Sequence, residues 1–221
     1  MISIYSVIIQ KKFIVKKVDV PVRFTGQHFT IDKVLINDAI RLANIQGEDL
    51  VLDIGAGRGF ITVHLVKYSG TVIAIENDGR LVSELRSKFK FNNTVLVVGI
   101  DFRQFLMPKK CFKVVSNIPY GITSDIVKKL MFNSLEYFIQ GCLVMQLEPA
   151  RKLVRKQSHN PYVVFYRTFY KLELICEISP DSFMPPPKVK SALLSISKKK
   201  NVNNINIEMK ERYINFLYFM L

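Results

Sequence analysis

The stretch LVLDIGAGRGF, residues 50–60, decides the fold class of this chain. It opens with an apolar run of strand length, and helical periodicity begins at Phe60. Between the two, Gly55, Gly57 and Gly59 let the backbone turn sharply and approach a ligand closely. A glycine cluster can also form a plain tight turn, but its position between a strand and a helix favours a ligand-binding loop.

The rest of the chain alternates strand-length apolar runs with helical stretches. This alternation predicts an α/β fold whose mostly parallel seven-stranded sheet is covered by helices on both faces. The last two strands lack a helix-length connection, so we expect an antiparallel hairpin at one edge; the three prolines within Asp181–Lys190 predict a loop there. The predicted strands are Leu50–Ile54, Thr71–Glu76, Thr94–Val98, Lys113–Ser116, Gly141–Leu147, Leu172–Ile178 and Ser191–Ser197. The predicted helices are Ile31–Ala43, Phe60–Tyr68, Gly79–Phe89, Ser124–Phe132, Pro149–Arg155 and, in the tail, Ile207–Leu221.

Composition and charge narrow the class of protein and of partner. The chain has 221 residues, 49% hydrophobic and 23% charged, which is typical of a globular protein and excludes a disordered one. Thirty-two Lys and Arg against eighteen Asp and Glu give a net charge of +14, which favours nucleic acid over an anionic membrane as partner. The sequence shows no membrane span and no secretory signal. Three widely spaced cysteines without a CxxC pair predict neither disulfides nor a zinc site and suit the cytoplasm.

Two acidic residues follow the glycine loop at the ends of later strands. Glu76 ends the next predicted strand, where a carboxylate can bind the hydroxyls of a ribose. Asp101 lies just past the third strand, where its carboxylate can accept a hydrogen bond from an adenine amino group. The loop reads G-x-G-x-G, one residue shorter than the dinucleotide fingerprint G-x-G-x-x-G, which disfavours an NAD-dependent oxidoreductase. Taken singly, Asp101 can be a helix cap and Glu76 a surface charge. Together they predict a nucleoside site.

The motif Asn117-Ile-Pro-Tyr120, at the end of the fourth strand, indicates the chemistry. An adenine amino group is a poor nucleophile because its lone pair is delocalised into the ring. Two acceptors aimed at its two N–H bonds, the Asn117 side-chain carbonyl and the Ile118 backbone carbonyl, help it towards a tetrahedral nitrogen, and Tyr120 offers a face for base stacking. A second Asn-Pro-Tyr, beginning at Asn160, lies outside this strand-end position and is interpreted as structural.

On these motifs the chain resembles the rRNA adenine N6-methyltransferases, and most closely the Erm type that confers macrolide–lincosamide–streptogramin B resistance. The resemblance covers residues 21–197, and DNA adenine methyltransferases usually differ by a second proline, N-P-P-Y. The matching stretches are TGQHFTID (25–32), VLDIGAGRGF (51–60), AIEND (74–78), DFR (101–103), SNIPYGITSDI (116–126), LVMQLEPA (143–150) and SFMPPPKVKSALL (182–194).

The resemblance implies a Rossmann-like methyltransferase sheet followed by a helical domain. It implies transfer of methyl groups from S-adenosylmethionine to N6 of one adenine in 23S rRNA, as mono- or dimethylation, by a monomer acting on a target that is single-stranded or not fully assembled. It assigns cofactor-binding roles to Gln27, His28, Thr30, Gly55, Gly57, Glu76, Asp101 and Asn117. It assigns target-base roles to Asn117, Tyr120 and Phe183, the last by stacking on the second face of the base. Many members have Asn where this chain has His28.

Three segments and two alternatives remain open at this stage. We expect residues 1–20 to be an N-terminal extension, 21–200 the methyltransferase domain, and 201–221 the start of a helical RNA-binding domain that stops short at the apolar end FLYFML. Residues 149–171 contain six basic residues, no acidic residue and several aromatic residues between them. This segment can contact RNA through its charges and rings, but for the aromatic residues we favour positions in the core. The alternatives are a small-subunit (16S) rRNA adenine dimethyltransferase and a truncated, catalytically weak RNA-binding protein.

Overall fold

The computed structural model describes residues 29–30, 32–200 and 207–221. Gln27 and His28 lie outside the described residues, as do 1–20 and the polar part of the predicted tail. Among the described residues, no helix combines the length and apolar character that crossing a membrane requires.

Nine strands and seven α-helices make up the described part of the chain. The strands are β1 Phe29–Thr30, β2 Leu50–Ile54, β3 Thr71–Glu76, β4 Val95–Gly99, β5 Phe112–Asn117, β6 Phe138–Gln146, β7 Tyr170–Ile178, β8 Phe183–Met184 and β9 Ser191–Lys198. The α-helices are α1 Lys33–Leu42, α2 Phe60–Leu65, α3 Gly79–Lys88, α4 Thr123–Lys128, α5 Leu147–Val154, α6 Pro161–Phe169 and α7 Ile207–Met220. A π-helical turn, Lys129–Asn133, continues α4, and 3-10 turns cover Tyr120–Ile122 and Pro180–Ser182.

The main sheet has seven strands in the order β4-β3-β2-β5-β6-β9-β7. Strands β4, β3, β2, β5 and β6 are parallel, and β9 runs antiparallel to both of its neighbours. The predicted mostly parallel sheet with an antiparallel edge hairpin is therefore confirmed. β2 is buried at all five positions, as expected for a central strand covered on both faces.

The sheet reverses its direction of winding between β2 and β5. From β2 the chain moves outward to β3 and β4, then returns to place β5 on the other side of β2. Backbone pairing of these two strands is confined to Val51 with Lys113 and Leu52 with Val114. Beyond it, the Ser116 hydroxyl accepts the amide of Ile54 at 2.7 Å and spans the widening gap. Ligands of open α/β sheets bind at such a reversal, outside the carboxyl ends of the strands.

Helix α6 was not predicted from the sequence. Its segment, PYVVFYRTF, is rich in β-branched and aromatic residues, whose intrinsic preference is for strands. The helix begins because the Asn160 side chain accepts the amides of Tyr162 and Val163, and because Pro161 fits the first turn. The structural interpretation of the second Asn-Pro-Tyr motif is thus confirmed. Core positions are confirmed for three of its aromatics: Phe165, Tyr166 and Phe169.

The prediction of a loop throughout Asp181–Lys190 is wrong at its start. Phe183 and Met184 form β8, which pairs antiparallel with β1, Thr30 lying opposite Phe183. The pairing partner is more than 150 residues away in the chain, so local sequence carries no signal for it. The prolines that follow remain outside any strand.

Helix α7 packs on the rest of the fold through one face. Ile214 and Leu217 are buried in the same core cluster as the strand residues of the sheet. The Tyr213 ring lies near the rings of Phe165 and Phe169, with centroids 5.9 Å and 6.1 Å apart. The other face leaves Phe219 88% exposed. The predicted helix at 207–221 is present, and the division of the chain at residue 200 stays a prediction.

Candidate active site

The glycine loop after β2 is held in a left-handed conformation. Gly55, Gly57 and Gly59 have φ angles of 72°, 58° and 73°, which a residue with a Cβ adopts at a cost of about 1–2 kcal/mol. The amide of Gly55 donates to the carbonyl of Ile75 at 2.8 Å. A Cβ added at Gly55 would lie 2.7 Å from Cγ of Pro119. The loop after β2 therefore packs directly on the loop after β5, and only glycine leaves room for that contact.

Glu76, the last residue of β3, fastens the glycine loop to the neighbouring strand. One carboxylate oxygen accepts the amide of Gly57 at 2.8 Å, and the other accepts the amides of Asn77 and Asp78, each at 2.9 Å. Glu76 is only 5% exposed, and three backbone donors stabilise its buried charge. The reading of this residue as a surface charge is therefore wrong.

Asp101 lies two residues beyond β4 and is paired with an arginine. Its carboxylate accepts the amide of Arg103 at 2.8 Å and forms an ion pair with the guanidinium, whose shortest N–O distance is 2.6 Å. The side-chain bond and the backbone bond from Arg103 lower the pKa of Asp101 to about 2. The group is an anion at neutral pH, and a carboxylate retains lone pairs for a further donor such as an amino group.

These elements line a half-open cavity of about 130 Å³ at the reversal point of the sheet. Three of the predicted cofactor residues, Gly55, Glu76 and Asp101, lie in its wall. The other lining residues are Ile54, Ile75, Asn77, Ile100, Phe102, Arg103, Pro119, Gly121 and Ile122.

The Asn117-Ile-Pro-Tyr120 motif reaches the same cavity through Pro119. Asn117 ends β5, pairs with Val144 of β6, and has its side-chain oxygen below the surface. The amide of Ile118 donates to the carbonyl of Val144 at 3.0 Å, which extends the contact between this chain segment and β6 by one residue. Pro119, with φ of −60°, then carries the chain along the cavity wall into the 3-10 turn at Tyr120.

Tyr120 is half-buried and its hydroxyl is bound to the fold. The hydroxyl lies 2.5 Å from that of Ser191, the first residue of β9. Burial raises the pKa of Tyr120, so the phenol stays protonated at neutral pH. The ring is thus a neutral aromatic surface tethered at its outer end.

Five other predicted residues are absent from the wall of this cavity. Gly57, Asn117 and Tyr120 lie within two residues of lining residues along the chain, whereas Phe183 and Thr30 belong to another part of the fold. Phe183 is 3% exposed and packs in a core cluster with α1 and β2. Thr30 lies opposite Phe183 in the small β1–β8 sheet. Their roles in binding the base and the cofactor stay predictions.

The structure adds two residues that sequence reasoning missed. Ser116 bridges β2 and β5 as described above, and Lys129 holds the Asp101 turn. The Lys129 ammonium donates to the carbonyls of Phe102 and Arg103 at 2.9 Å and 2.7 Å. It therefore links the turn after β4 to the helix that follows the Asn117 motif. A lysine in a helical stretch carries no local signal for such a contact.

Asp53, buried beneath the glycine loop, gives a pH-dependent prediction. Burial raises the pKa of its carboxyl to about 7; the bond from the Thr62 hydroxyl at 2.6 Å opposes this and the charge of Glu76 adds to it. Between about pH 4 and 7 the native state keeps a proton that the unfolded state has lost, so the free energy of unfolding falls as the pH rises. We expect Asp53→Asn to remove this fall, gaining on the order of a few kcal/mol relative to wild type between pH 5 and pH 8. Urea unfolding at both pH values measures it; parallel pH profiles would contradict the prediction.

Comparison with known proteins places this chain in a family. The sequence profile of the family described as "Ribosomal RNA adenine dimethylase" matches residues 22–215. The chain belongs to the ribosomal RNA adenine dimethylase family. It is 58% identical to an rRNA adenine N-6-methyltransferase of Bacteroides fragilis over 205 residues, which cover 93% of this chain and 76% of that protein. It is 33% identical to the ribosomal RNA small subunit methyltransferase A of Mycoplasmopsis pulmonis, over 87% of this chain and 75% of that protein.

Solved structures of similar proteins have the same fold. The 23S rRNA methyltransferase ErmE matches with a TM-score of 0.75 and 29% identity, over 86% of this chain and 77% of that one. A dimethyladenosine transferase from Plasmodium falciparum matches with a TM-score of 0.75 and 28% identity, over 86% of this chain and 69% of that one. The Rossmann-like methyltransferase fold, the rRNA adenine methyltransferase class and S-adenosylmethionine as methyl donor, all predicted from the sequence, are confirmed at the level of the family.

The cavity fits this cofactor by the chemistry of its walls. S-adenosylmethionine carries a sulfonium cation, ribose hydroxyls and an adenine amino group. The site offers two carboxylates, Glu76 at the end of β3 and Asp101 just beyond β4, both on the same side of the glycine loop, whose residue Gly55 lies in the cavity wall. Among the described residues no cluster of His, Cys, Asp or Glu is arranged to hold a metal ion.

Asp101→Ala is expected to weaken S-adenosylmethionine binding about tenfold or more. A hydrogen bond to a charged group contributes about 1.5–3 kcal/mol, and each 1.4 kcal/mol is tenfold in affinity. Titration calorimetry with the cofactor measures the effect. Glu208→Ala, which removes an exposed carboxylate on α7, is the matched control and should leave the dissociation constant unchanged. An unchanged dissociation constant for Asp101→Ala would remove this residue from the site.

Proposed function

We propose that this chain methylates N6 of a specific adenine in 23S rRNA, using S-adenosylmethionine, and thereby confers resistance to macrolide, lincosamide and streptogramin B antibiotics. The observation that carries the proposal is the position of Asn117-Ile-Pro-Tyr120 at the reversal point of the sheet, in contact with the glycine loop through Pro119 and Gly55. The cofactor supplies an electrophilic methyl group there. A target adenine held at this motif meets it across the cavity.

The chain's own residues supply positioning and electrostatics. The adenine amino group donates two hydrogen bonds, one to the side-chain carbonyl of Asn117 and one to the backbone carbonyl of Ile118. These two hydrogen bonds direct the lone pair of the amino nitrogen towards the methyl donor. Tyr120 stacks on the base, and Phe183 is proposed to face its other side. The amino group loses its proton after transfer, so no strong base is needed. Glu76 holds the ribose and Asp101 the adenine of the cofactor, and Gly55 and Gly57 approach its methionine part. Gln27, His28 and Thr30 are proposed as further cofactor-binding residues.

The proposal also specifies which ribosomal RNA is methylated. Relatives named rRNA adenine N-6-methyltransferase reach 58% identity, against 33% for a small-subunit methyltransferase A. We therefore propose 23S over 16S rRNA. The protein is proposed to act in the cytoplasm, as a monomer, on RNA that is unpaired at the target adenine.

The test is erythromycin susceptibility of a sensitive bacterium that expresses this chain, with primer extension on both rRNAs. We expect resistance together with a new stop on 23S rRNA, both lost in Asn117→Ala. A stop on 16S rRNA alone would replace the proposed target with the small subunit. Absence of both stops, with cofactor bound by the purified chain, would overturn the proposed activity in favour of a catalytically weak RNA-binding protein.

A further inference from the structure

Tyr120 and Ser191 meet although they are 71 residues apart in the chain. Their hydroxyl oxygens are 2.5 Å apart. Ser191 is fully buried and is the first residue of β9, at the same edge of the sheet as the glycine loop and Asn117. Nothing in the proposed chemistry uses Ser191, so this contact needs an explanation of its own.

The Ser191 hydroxyl is a fixed point. Ser191 pairs with Gln146 of β6 on one side and with Ile178 of β7 on the other. The next peptide group towards the N-terminus is also held, because the carbonyl of Lys190 accepts the amide of Leu147 at 3.0 Å. A side chain of one carbon on a backbone held in this way has little freedom to move.

The other end of Tyr120 is fixed as well. Its carbonyl accepts the hydroxyl of Thr123 at 3.1 Å, and the turn that contains it is closed by the amide of Ile122 donating to the carbonyl of Pro119 at 3.3 Å. The hydrogen and the in-plane lone pair of a phenol both lie in the plane of the ring. Whichever hydroxyl donates, the bond to Ser191 therefore favours one rotation of the ring as well as one position.

We propose that Ser191 is a positioning residue that orients the Tyr120 ring for the target adenine. The inference rests on the proposed function, because the ring needs an orientation only if it stacks on a base. A ring that is already oriented loses no rotational entropy when the target adenine binds to it. A small misplacement of a positioning group lowers the reaction rate strongly. Loss of the bond should therefore slow methyl transfer and leave cofactor binding intact.

A double-mutant cycle tests the proposal. Ser191→Ala and Tyr120→Phe delete the same bond from its two ends, so each should lower the single-turnover methylation rate on a 23S rRNA fragment about tenfold. The double variant should also lose about tenfold, since the bond is already absent in each single variant. Ser195→Ala, the same substitution at a buried position further along β9, is the matched control and should keep the wild-type rate.

Several results would overturn it. A wild-type rate in either Ser191→Ala or Tyr120→Phe would do so, as would losses that multiply to about a hundredfold in the double variant. A dissociation constant for S-adenosylhomocysteine that rises as much as the rate falls would show a general structural role. Tyr120→Phe leaves β9 untouched, so its rate alone tests the proposal if Ser191→Ala folds poorly: a wild-type rate overturns it.

A second measurement needs no methyl transfer. In protein with 13C-labelled tyrosine rings, the Tyr120 signals, assigned by their loss in Tyr120→Phe, should show a restricted ring in wild type and fast averaging in Ser191→Ala. Fast averaging in wild type would overturn the inference. A restricted ring in a chain that methylates neither rRNA would instead count against the proposed function alone.

Discussion

Asn117→Ala is expected to lower methyl transfer about 10²–10³-fold, which is the loss seen when one preorganised polar group is removed from a reacting centre. Alanine removes the carbonyl that accepts an N–H bond of the target amino group, so the nitrogen keeps its lone pair in the ring. Asn117 is the last residue of β5. The dissociation constant for S-adenosylmethionine should change by less than about threefold. This is well below a tenfold change, which corresponds to about 1.4 kcal/mol of binding free energy. Transfer of a labelled methyl group to a 23S rRNA fragment and calorimetric titration of the cofactor measure the two quantities.

The chain contains its own control for this result. Asn160 opens the second Asn-Pro-Tyr motif, but it caps α6 by accepting the amides of Tyr162 and Val163. Asn160→Ala should cost about 1 kcal/mol of folding stability through the lost cap, with a normal rate per folded molecule. Equal losses of rate and cofactor affinity in Asn117→Ala would remove the role assigned to that residue.

Gly55→Ala should damage both halves of the site at once. The new Cβ would lie 2.7 Å and 2.8 Å from two ring carbons of Pro119. The φ angle of 72° adds a conformational cost, which is about 1–2 kcal/mol for a residue with a Cβ. Relief of the clash must move either the glycine loop or the loop that carries Asn117. We therefore expect the dissociation constant for S-adenosylmethionine to rise at least about tenfold and the methylation rate to fall at least about a hundredfold, since a misplacement of 1 Å can cost that much.

Gly47→Ala separates this effect from the general cost of replacing glycine. A Cβ at Gly47 meets nothing within 4 Å, so the variant should bind cofactor and methylate RNA as wild type does. Calorimetry and the labelled-methyl assay on both variants make the comparison. Wild-type affinity in Gly55→Ala would mean that Pro119 yields without consequence, and the contact between the two loops would then have no functional weight.

Most strands and helices could be predicted from the sequence because their hydrophobic patterns extend over only a few neighbouring residues. Strand β2 and strand β3 begin and end at the predicted residues, and the hairpin edge follows from a connection too short for a helix. Helix α6 was missed for the opposite reason. Its residues prefer strands in isolation, and the helix exists because the Asn160 cap and the burial of Phe165 and Phe169 override that preference.

The candidate site divides in the same way. The positions of Gly55, Glu76, Asp101 and Asn117 at strand ends were predictable, because parallel strands bring their carboxyl ends to one edge of a sheet. The ion pair between Asp101 and Arg103 joins residues that are close in the sequence. The hydrogen bonds from Lys129 to the same turn join residues far apart in the sequence, so no local pattern predicts them. Phe183 is the first residue of β8 and packs in the core cluster that includes α1, and its role beside the target base stays a prediction.

By itself, the sequence determined the α/β class, the family and the residue types that face the cofactor and the base, because glycine spacing, strand length and short motifs act over a few neighbouring residues. Only the tertiary structure decided the contact of Gly55 with Pro119, the bond between Tyr120 and Ser191, and the pairing of β8 with β1. Each joins segments far apart in the chain, and each depends on how the sheet winds and which strands become neighbours. Such contacts arise from the packing of the whole domain, and no local pattern of residues encodes them.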